Sequence, residues 1–332
     1  MIFLVFFTFI LGIVLGSTNI PFIDVFKALF SGGTENNALI IRNVRLPRVL
    51  AAVIAGAGLA ASGCVMQNVL KNDMASPSTL GVGNASVFGA NLAIIGLGVG
   101  SSEEVSGEIY ISNPYAVSSF AFLFALICIL LILFLSRIKH FSNESIVLSG
   151  VALSTIFSAG TLFLQFFSDE TSLSSAVFWS FGDLGRIDIV GPQLYIMLGV
   201  VLMAIIYFML NQWNYNAIAS GKDLARSLGI KVEQVSIVSL LLASLITAVS
   251  VAFLGVIGFV GLICSHIMRI FVKDDFRYLL PASCLFGALL LLVSDIISRV
   301  LMPGVALPVG GITSLLGGPM FIYLLLMKRE RR

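Results

Sequence analysis

The chain has 332 residues, 58% of them hydrophobic and only 11% charged, with a mean hydropathy of +1.05. Soluble domains carry about 25% charged residues, so this composition excludes an ordinary soluble enzyme and points to a polytopic membrane protein. The net charge of +2 is too small to suggest a nucleic-acid partner.

A spanning helix needs about 20 mostly apolar residues. In chain order, apolar runs predict spans over 2–18, 47–70, 79–99, 114–136, 145–168, 190–210, 235–257, 258–272, 281–302 and 308–327. The fold class is therefore all-α, with about ten transmembrane helices in a single transmembrane domain over 1–332 and its longest inner loop at about 211–234. The first run lacks a positive n-region and a small-residue cleavage site, and reads as a span, not a removed signal peptide. The glycines at 255, 258 and 261 mark the turn before the short eighth span. Most of the 19 Lys and Arg residues fall in loops on the side of the termini. By the positive-inside bias both termini are cytoplasmic.

Just before the second span, on the outer side, stands Arg42-Asn43-Val44-Arg45-Leu46-Pro47-Arg48. Pro47 suits a first helical turn. Arg45 and Arg48 lie three apart, so one helical turn brings them to one side. On the residues alone they read as interfacial anchors snorkelling to headgroups. Along the second span Gly56, Ala60 and Cys64 recur every four positions, the pattern of close helix packing in lipid.

Ser154, Ser158, Thr161 and Gln165 fall on one face of the fifth span. Such a stripe either hydrogen-bonds neighbouring helices or lines a wet path. In the longest cytoplasmic loop, Gly221 to Ile230 reads as a short helix with Leu224 and Leu228 on one face and Gly229 as its stop. Ala225 and Gly229 are expected to offer a small-residue surface to a partner. On the ninth span Asp295 and Arg299 are spaced i,i+4 and can pair.

Other chemistry is missing. No G-x-x-x-x-G-K-[ST] stretch is present to cradle a nucleotide, and no H-E-x-x-H. Cys64, Cys128, Cys264 and Cys284 lie in apolar runs without metal-type spacing, and read as small hydrophobes. His140 and His266 have no obvious partner ligand. We expect no catalytic residue, no metal site and no bound cofactor. The runner-up reading, a carrier driven by an ion gradient, lacks ionisable groups near the membrane midplane.

Several ordered blocks then match a known family. They are Arg45-Leu46-Pro47-Arg48, Ser62-Gly63-Cys64-Val65-Met66-Gln67 leading to Pro77-Ser78-Thr79-Leu80-Gly81-Val82, the Gly221–Gly229 loop, Gly255-Val256-Ile257-Gly258-Phe259-Val260-Gly261-Leu262 with His266 and Arg269, and Leu307-Pro308-Val309-Gly310 with Leu316-Gly317-Gly318-Pro319. The chain resembles the FecCD-type permeases of type II ABC importers for iron–siderophores, haem and vitamin B12. Ser265 departs from the family's usual proline before the histidine.

The resemblance implies the type II ABC importer permease fold, in a bacterial cytoplasmic (inner) membrane. It implies a second permease subunit as homodimer or heterodimer, two cytoplasmic ABC ATPases that use the ATP, and an extracytoplasmic substrate-binding protein. An iron–siderophore is the expected substrate, with haem and cobalamin as alternatives. In residue terms it implies a substrate pathway at Ser154, Ser158, Thr161 and Gln165, and a cytoplasmic gate at Ser142, Asn143 and Glu144. It further implies ATPase coupling through Gly221, Lys222, Ala225, Leu228 and Gly229, and receptor docking on Arg45, Arg48 and Arg299.

Overall fold

Within a bilayer an apolar run satisfies its backbone groups most simply by forming a helix, and each predicted span corresponds to one. The structure is a computed structural model that describes residues 1–16, 25, 36–99, 102–105, 108–111, 113–138, 143–187, 191–302 and 307–330. Ser142 and His140 lie outside the described residues.

The helices are α1 (Ile2–Val14), α2 (Leu46–Leu70), α3 (Val82–Asn91), α4 (Pro114–Ile138), α5 (Asn143–Phe166), α6 (Glu170–Ser180), α7 (Pro192–Leu210), α8 (Gln212–Ser220), α9 (Lys222–Ser227), α10 (Val232–Leu254), α11 (Val260–Val272), α12 (Phe276–Val300) and α13 (Val309–Glu330). Among the described residues, six helical stretches are long and apolar enough to cross a membrane, and Ile2–Val14, Val82–Gly96 and Val260–Val272 are shorter apolar helices. The one addition to an all-helical reading is a hairpin of strands β1 (Ser102–Val105) and β2 (Glu108–Ile111), paired antiparallel.

The chain divides into two compact units. The first comprises Met1–Cys64, Gly182–Leu210 and Ile257–Arg332. In it α1 and α11 pack on α12, and α13 lies against α11 and α12. Two glycine contacts bring α2 against its neighbours. A Cβ on Gly56 would lie 2.3 Å from the Gly287 carbonyl oxygen of α12, and one on Gly63 would lie 2.0 Å from that of Gly261 on α11. The small-residue pattern of α2 is therefore a backbone-to-backbone seam. A lead-in helix, Asn36–Ile40, runs through a π turn, Ile41–Arg45, into α2. That wide turn sets Arg45 just before the regular helix begins.

The second unit comprises Val65–Phe181 and Asn211–Val256. Here α3 packs on α4 and α5, and α10 packs on α3 and α4. Its core includes Ala90, Ile94, Val117, Ala121, Trp179 and Ala252. A smaller cluster of Ile218, Ala225 and Val232 holds α8, α9 and the start of α10 together. Asp169 caps α6, accepting from the Ser172 amide at 3.0 Å and from the Thr171 hydroxyl. The Thr171 and Ser172 donors hold its carboxyl well below the ordinary carboxylate range.

Candidate functional site

Three groups of polar residues stand out, one in the first unit and two in the second. In the first unit Arg45, Arg48 and Arg299 are 4%, 6% and 9% exposed, and Asp295 is fully buried. A buried guanidinium must be paired, and these are. Arg48 Nε donates to Asp295 Oδ1 at 2.5 Å, and Arg299 Nη2 lies 2.7 Å from Asp295 Oδ2. Arg48 Nη1 also reaches Asp183 Oδ1 at 3.3 Å. Asp183 in turn accepts from the Gly185 amide at 2.9 Å.

The remaining donors close the end of α1. Arg45 Nη1 donates to the carbonyls of Ile13 and Val14 at 2.9 and 2.6 Å. Arg299 donates to those of Gly12 and Leu15, both at 2.8 Å. A helix leaves its last carbonyls without intrahelical partners and carries partial negative charge there. Two guanidiniums from distant parts of the chain satisfy both needs.

Arg45, Arg48 and Arg299 are buried within this chain and engaged by its own carbonyls and carboxylates. The Asp295–Arg299 pair foreseen from spacing is present, extended to Arg48.

The α5 stripe makes hydrogen bonds inside its own unit, with Thr161 buried and Ser154, Ser158 and Gln165 half-buried. Ser154 Oγ accepts from Asn84 Nδ2 of α3 at 2.6 Å, and Gln165 Nε2 donates to Asn91 Oδ1 at 3.1 Å. Thr161 Oγ1 bonds back to the Phe157 carbonyl at 2.9 Å and is buried, while Ser158 is half-buried between them. The stripe thus joins α5 to α3, since a polar group in an apolar environment goes to the nearest partner. The open face of α5 is apolar instead, with Leu148, Val151, Ile156, Leu162, Phe163 and Phe166 exposed.

The third group gathers residues expected to serve two different roles. Asn143, the first residue of α5, donates through Nδ2 to the Leu70 carbonyl at the end of α2, at 2.8 Å. Its Oδ1 accepts from Lys222 Nζ, at the start of α9, at 2.5 Å. A cavity beside this junction is lined by Val69, Leu70, Ile146, Arg226, Glu233 and Leu240 among others. Burial lowers the Lys222 pKa, with repulsion from Arg226 and Lys71 adding to it and Glu233 opposing. Glu144 is exposed.

Around α9, Gly221 has φ +151° and Gly229 φ +80°, backbone settings that favour glycine. Gly229 ends the helix as expected, and a Cβ there would meet nothing within 4 Å. Ala225 is the exception. It is completely buried against Ile218 and Val232, while Leu224 and Leu228 are 52% and 65% exposed. Ala225 thus packs between α8 and α10, while Gly229 stays exposed, and Leu224 and Leu228 are the exposed apolar side chains of α9.

Among the described residues, no group of three or more His, Cys, Asp or Glu could hold a metal ion.

Comparison with known proteins adds to this geometry. A family model described as the FecCD transport family matches residues 4–327. An ABC transporter permease protein of Methanocaldococcus jannaschii is 46% identical over 326 residues, covering 98% of this chain and 93% of that protein. The hemin transport system permease protein of Yersinia pestis is 34% identical, covering 96% of this chain and 93% of that one. A solved structure described as an inward-facing metal-chelate type ABC transporter superposes with a TM-score of 0.81 at 29% identity, covering 98% of this chain and 96% of the other.

Proposed function

The chain belongs to the FecCD transport family, and on that premise we propose that it is the membrane-spanning permease subunit of an ATP-driven ABC importer for a metal chelate. The observation that carries this reading is the match across residues 4–327, supported by the TM-score of 0.81 to a metal-chelate type transporter. The chain is a multi-pass membrane protein, and the loop distribution of Lys and Arg favours both termini in the cytoplasm.

Transport by this subunit needs three kinds of partner. ATP hydrolysis belongs to two separate ATPase subunits, because the chain has no phosphate-cradling loop. The exposed Leu224 and Leu228 of α9 give such an ATPase an apolar foothold. A second permease copy, identical or closely related, covers the apolar face of α5 and closes the pathway. A substrate-binding protein delivers the chelate from outside. The charge inside the spans does not suit an ion-gradient carrier, because Asp295 is held between two guanidiniums.

An iron–siderophore is the proposed cargo. Haem is the specific alternative, favoured by the 34% identity to a hemin permease. The deciding experiment is uptake into proteoliposomes that hold the chain with its ATPase and binding protein. We expect ATP-dependent accumulation of one iron chelate, with haem and cobalamin as competitors. Accumulation that follows an imposed proton or sodium gradient without ATP would overturn the reading.

A further inference from the structure

We infer that the Lys222–Asn143–Leu70 hydrogen-bond chain is the joint through which movement of α9 reaches the start of α5 and the end of α2. The inference rests on the importer reading above and assigns Lys222 and Asn143 as positioning residues within it.

Three elements meet at one side chain. Asn143 spends its donor on the Leu70 carbonyl at 2.8 Å and its acceptor on Lys222 Nζ at 2.5 Å. An amide side chain suits this place because it alone presents a donor and an acceptor in one rigid plane. The Leu70 carbonyl is one of the last of α2 and needs an outside partner. The chain turns away at once through Lys71, whose φ is +48°.

Lys222 has little freedom to go elsewhere. It follows Gly221, whose φ of +151° fixes how the chain enters α9. Arg226 and Lys71 repel its ammonium, and Arg226 itself is bonded to Asp223 at 3.2 Å and Glu233 at 3.5 Å. The neutral amide oxygen of Asn143 is the acceptor it takes. Behind it, Ala225 is wedged into the α8–α10 core, so α9 moves as a body and carries Lys222 with it. Ser236 Oγ, in the wall of the adjoining cavity, is buried with no hydrogen-bond partner, which leaves the joint room to shift.

The test uses K222M and N143L, their double variant, and N143D, which keeps an acceptor for the ammonium but loses the donor to the Leu70 carbonyl. The first measurement is hydrogen exchange on the isolated, detergent-purified chain, and requires no ATPase. Each single variant is expected to raise exchange at the amides of 143–147 about tenfold, the weight of one hydrogen bond to a charged donor. N143D, which breaks the Leu70 link alone, is expected to raise it as well. The second is chelate taken up per ATP hydrolysed in the reconstituted complex. It should fall about tenfold in either single variant, fall no further in the double variant, and fall in N143D too. Unchanged exchange in K222M, or additive losses in the double variant, would overturn the joint. Absence of ATP-driven uptake by the parent complex would instead sink the importer reading and leave the exchange result to judge the joint alone.

Discussion

Replacing Asp295 by asparagine keeps the shape of the side chain and removes the charge that holds two guanidiniums. The Arg48, Arg299 and Asp295 side chains are 8%, 9% and 1% exposed, and the two contacts are 2.5 and 2.7 Å. Removing one partner of a buried ion pair costs about 3–5 kcal/mol. Here Arg299 keeps the Gly12 and Leu15 carbonyls and Arg48 keeps Asp183, so the lower end, about 3 kcal/mol, is expected. The internal control is Asp183, which touches the same Arg48 at 3.3 Å but is 39% exposed. Its removal should cost about 0–1 kcal/mol, as for other surface pairs. Thermal unfolding in detergent, followed with a thiol-reactive dye, reads both variants because Cys64, Cys128 and Cys264 are buried until the fold opens. At about 2 °C per kcal/mol for a chain of this size, D295N should unfold about 6 °C below the parent and D183N within about 2 °C. If D295N unfolds no lower than D183N, the buried network does not hold the fold together and the reasoning fails.

Three further outcomes follow from other contacts. Gly63→Ala places a methyl carbon 2.0 Å from the Gly261 carbonyl oxygen, with backbone on both sides, so α2 and α11 must part by about 1 Å or more. A loss of about 1–3 kcal/mol is expected and is read by the same dye, while Gly83→Ala, with nothing within 4 Å, should be silent. Ala225→Trp should lower the folded yield by bursting the α8–α10 core, whereas Leu224→Ser with Leu228→Ser should fold normally and co-purify less ATPase. Because burial and the Arg226 and Lys71 charges disfavour its ammonium form, Lys222 should lose its proton below the ordinary 10.5. Its acylation, followed by mass spectrometry against pH, should show a midpoint below 10.5, and a midpoint at or above 10.5 would contradict the crowding.

The spans were legible because the bilayer fixes both length and composition of a crossing helix, and both are visible in the chain. Their edges were less so. The ninth span was expected from 281, since proline often opens a helix, yet α12 begins at Phe276, with the Asp275 side chain accepting from the Arg277 amide at 3.1 Å. The helix α6 was missed because its mixed composition resembles a loop. The Asp169–Ser172 spacing was the signal that could have revealed it. The partners of the polar residues were less legible still. In a soluble protein, polar residues point to water, and periodicity tells inside from outside. In lipid that rule vanishes, and a polar stripe points to whatever partner is nearest. Asn84 and Asn91 lie 70 and 74 residues from Ser154 and Gln165, and no local pattern connects them. Ala225 was misplaced for a related reason: smallness suits both a tight core and an open surface.

The arginines before α2 carry the same lesson, and the length of α1 explains them. Helix α1 has 13 residues, a rise of about 20 Å at 1.5 Å per residue. The hydrocarbon core is about 30 Å thick. A helix so short ends with carbonyls where water is scarce, and each unsatisfied group there costs several kcal/mol. The last turn of α1 holds no basic residue of its own. The donors must come from elsewhere in the chain. Arg45, set at the end of a π turn, and Arg299, one turn beyond Asp295, reach the four carbonyls from Gly12 to Leu15. Arginine suits the task because its planar fork serves two acceptors at once and keeps its charge. Three cations then face two carboxylates and the negative end of a helix, which supplies the balance the acids lack. Arginines on the sparsely charged side of the membrane run against the usual bias, and the short first helix gives a structural reason for keeping them.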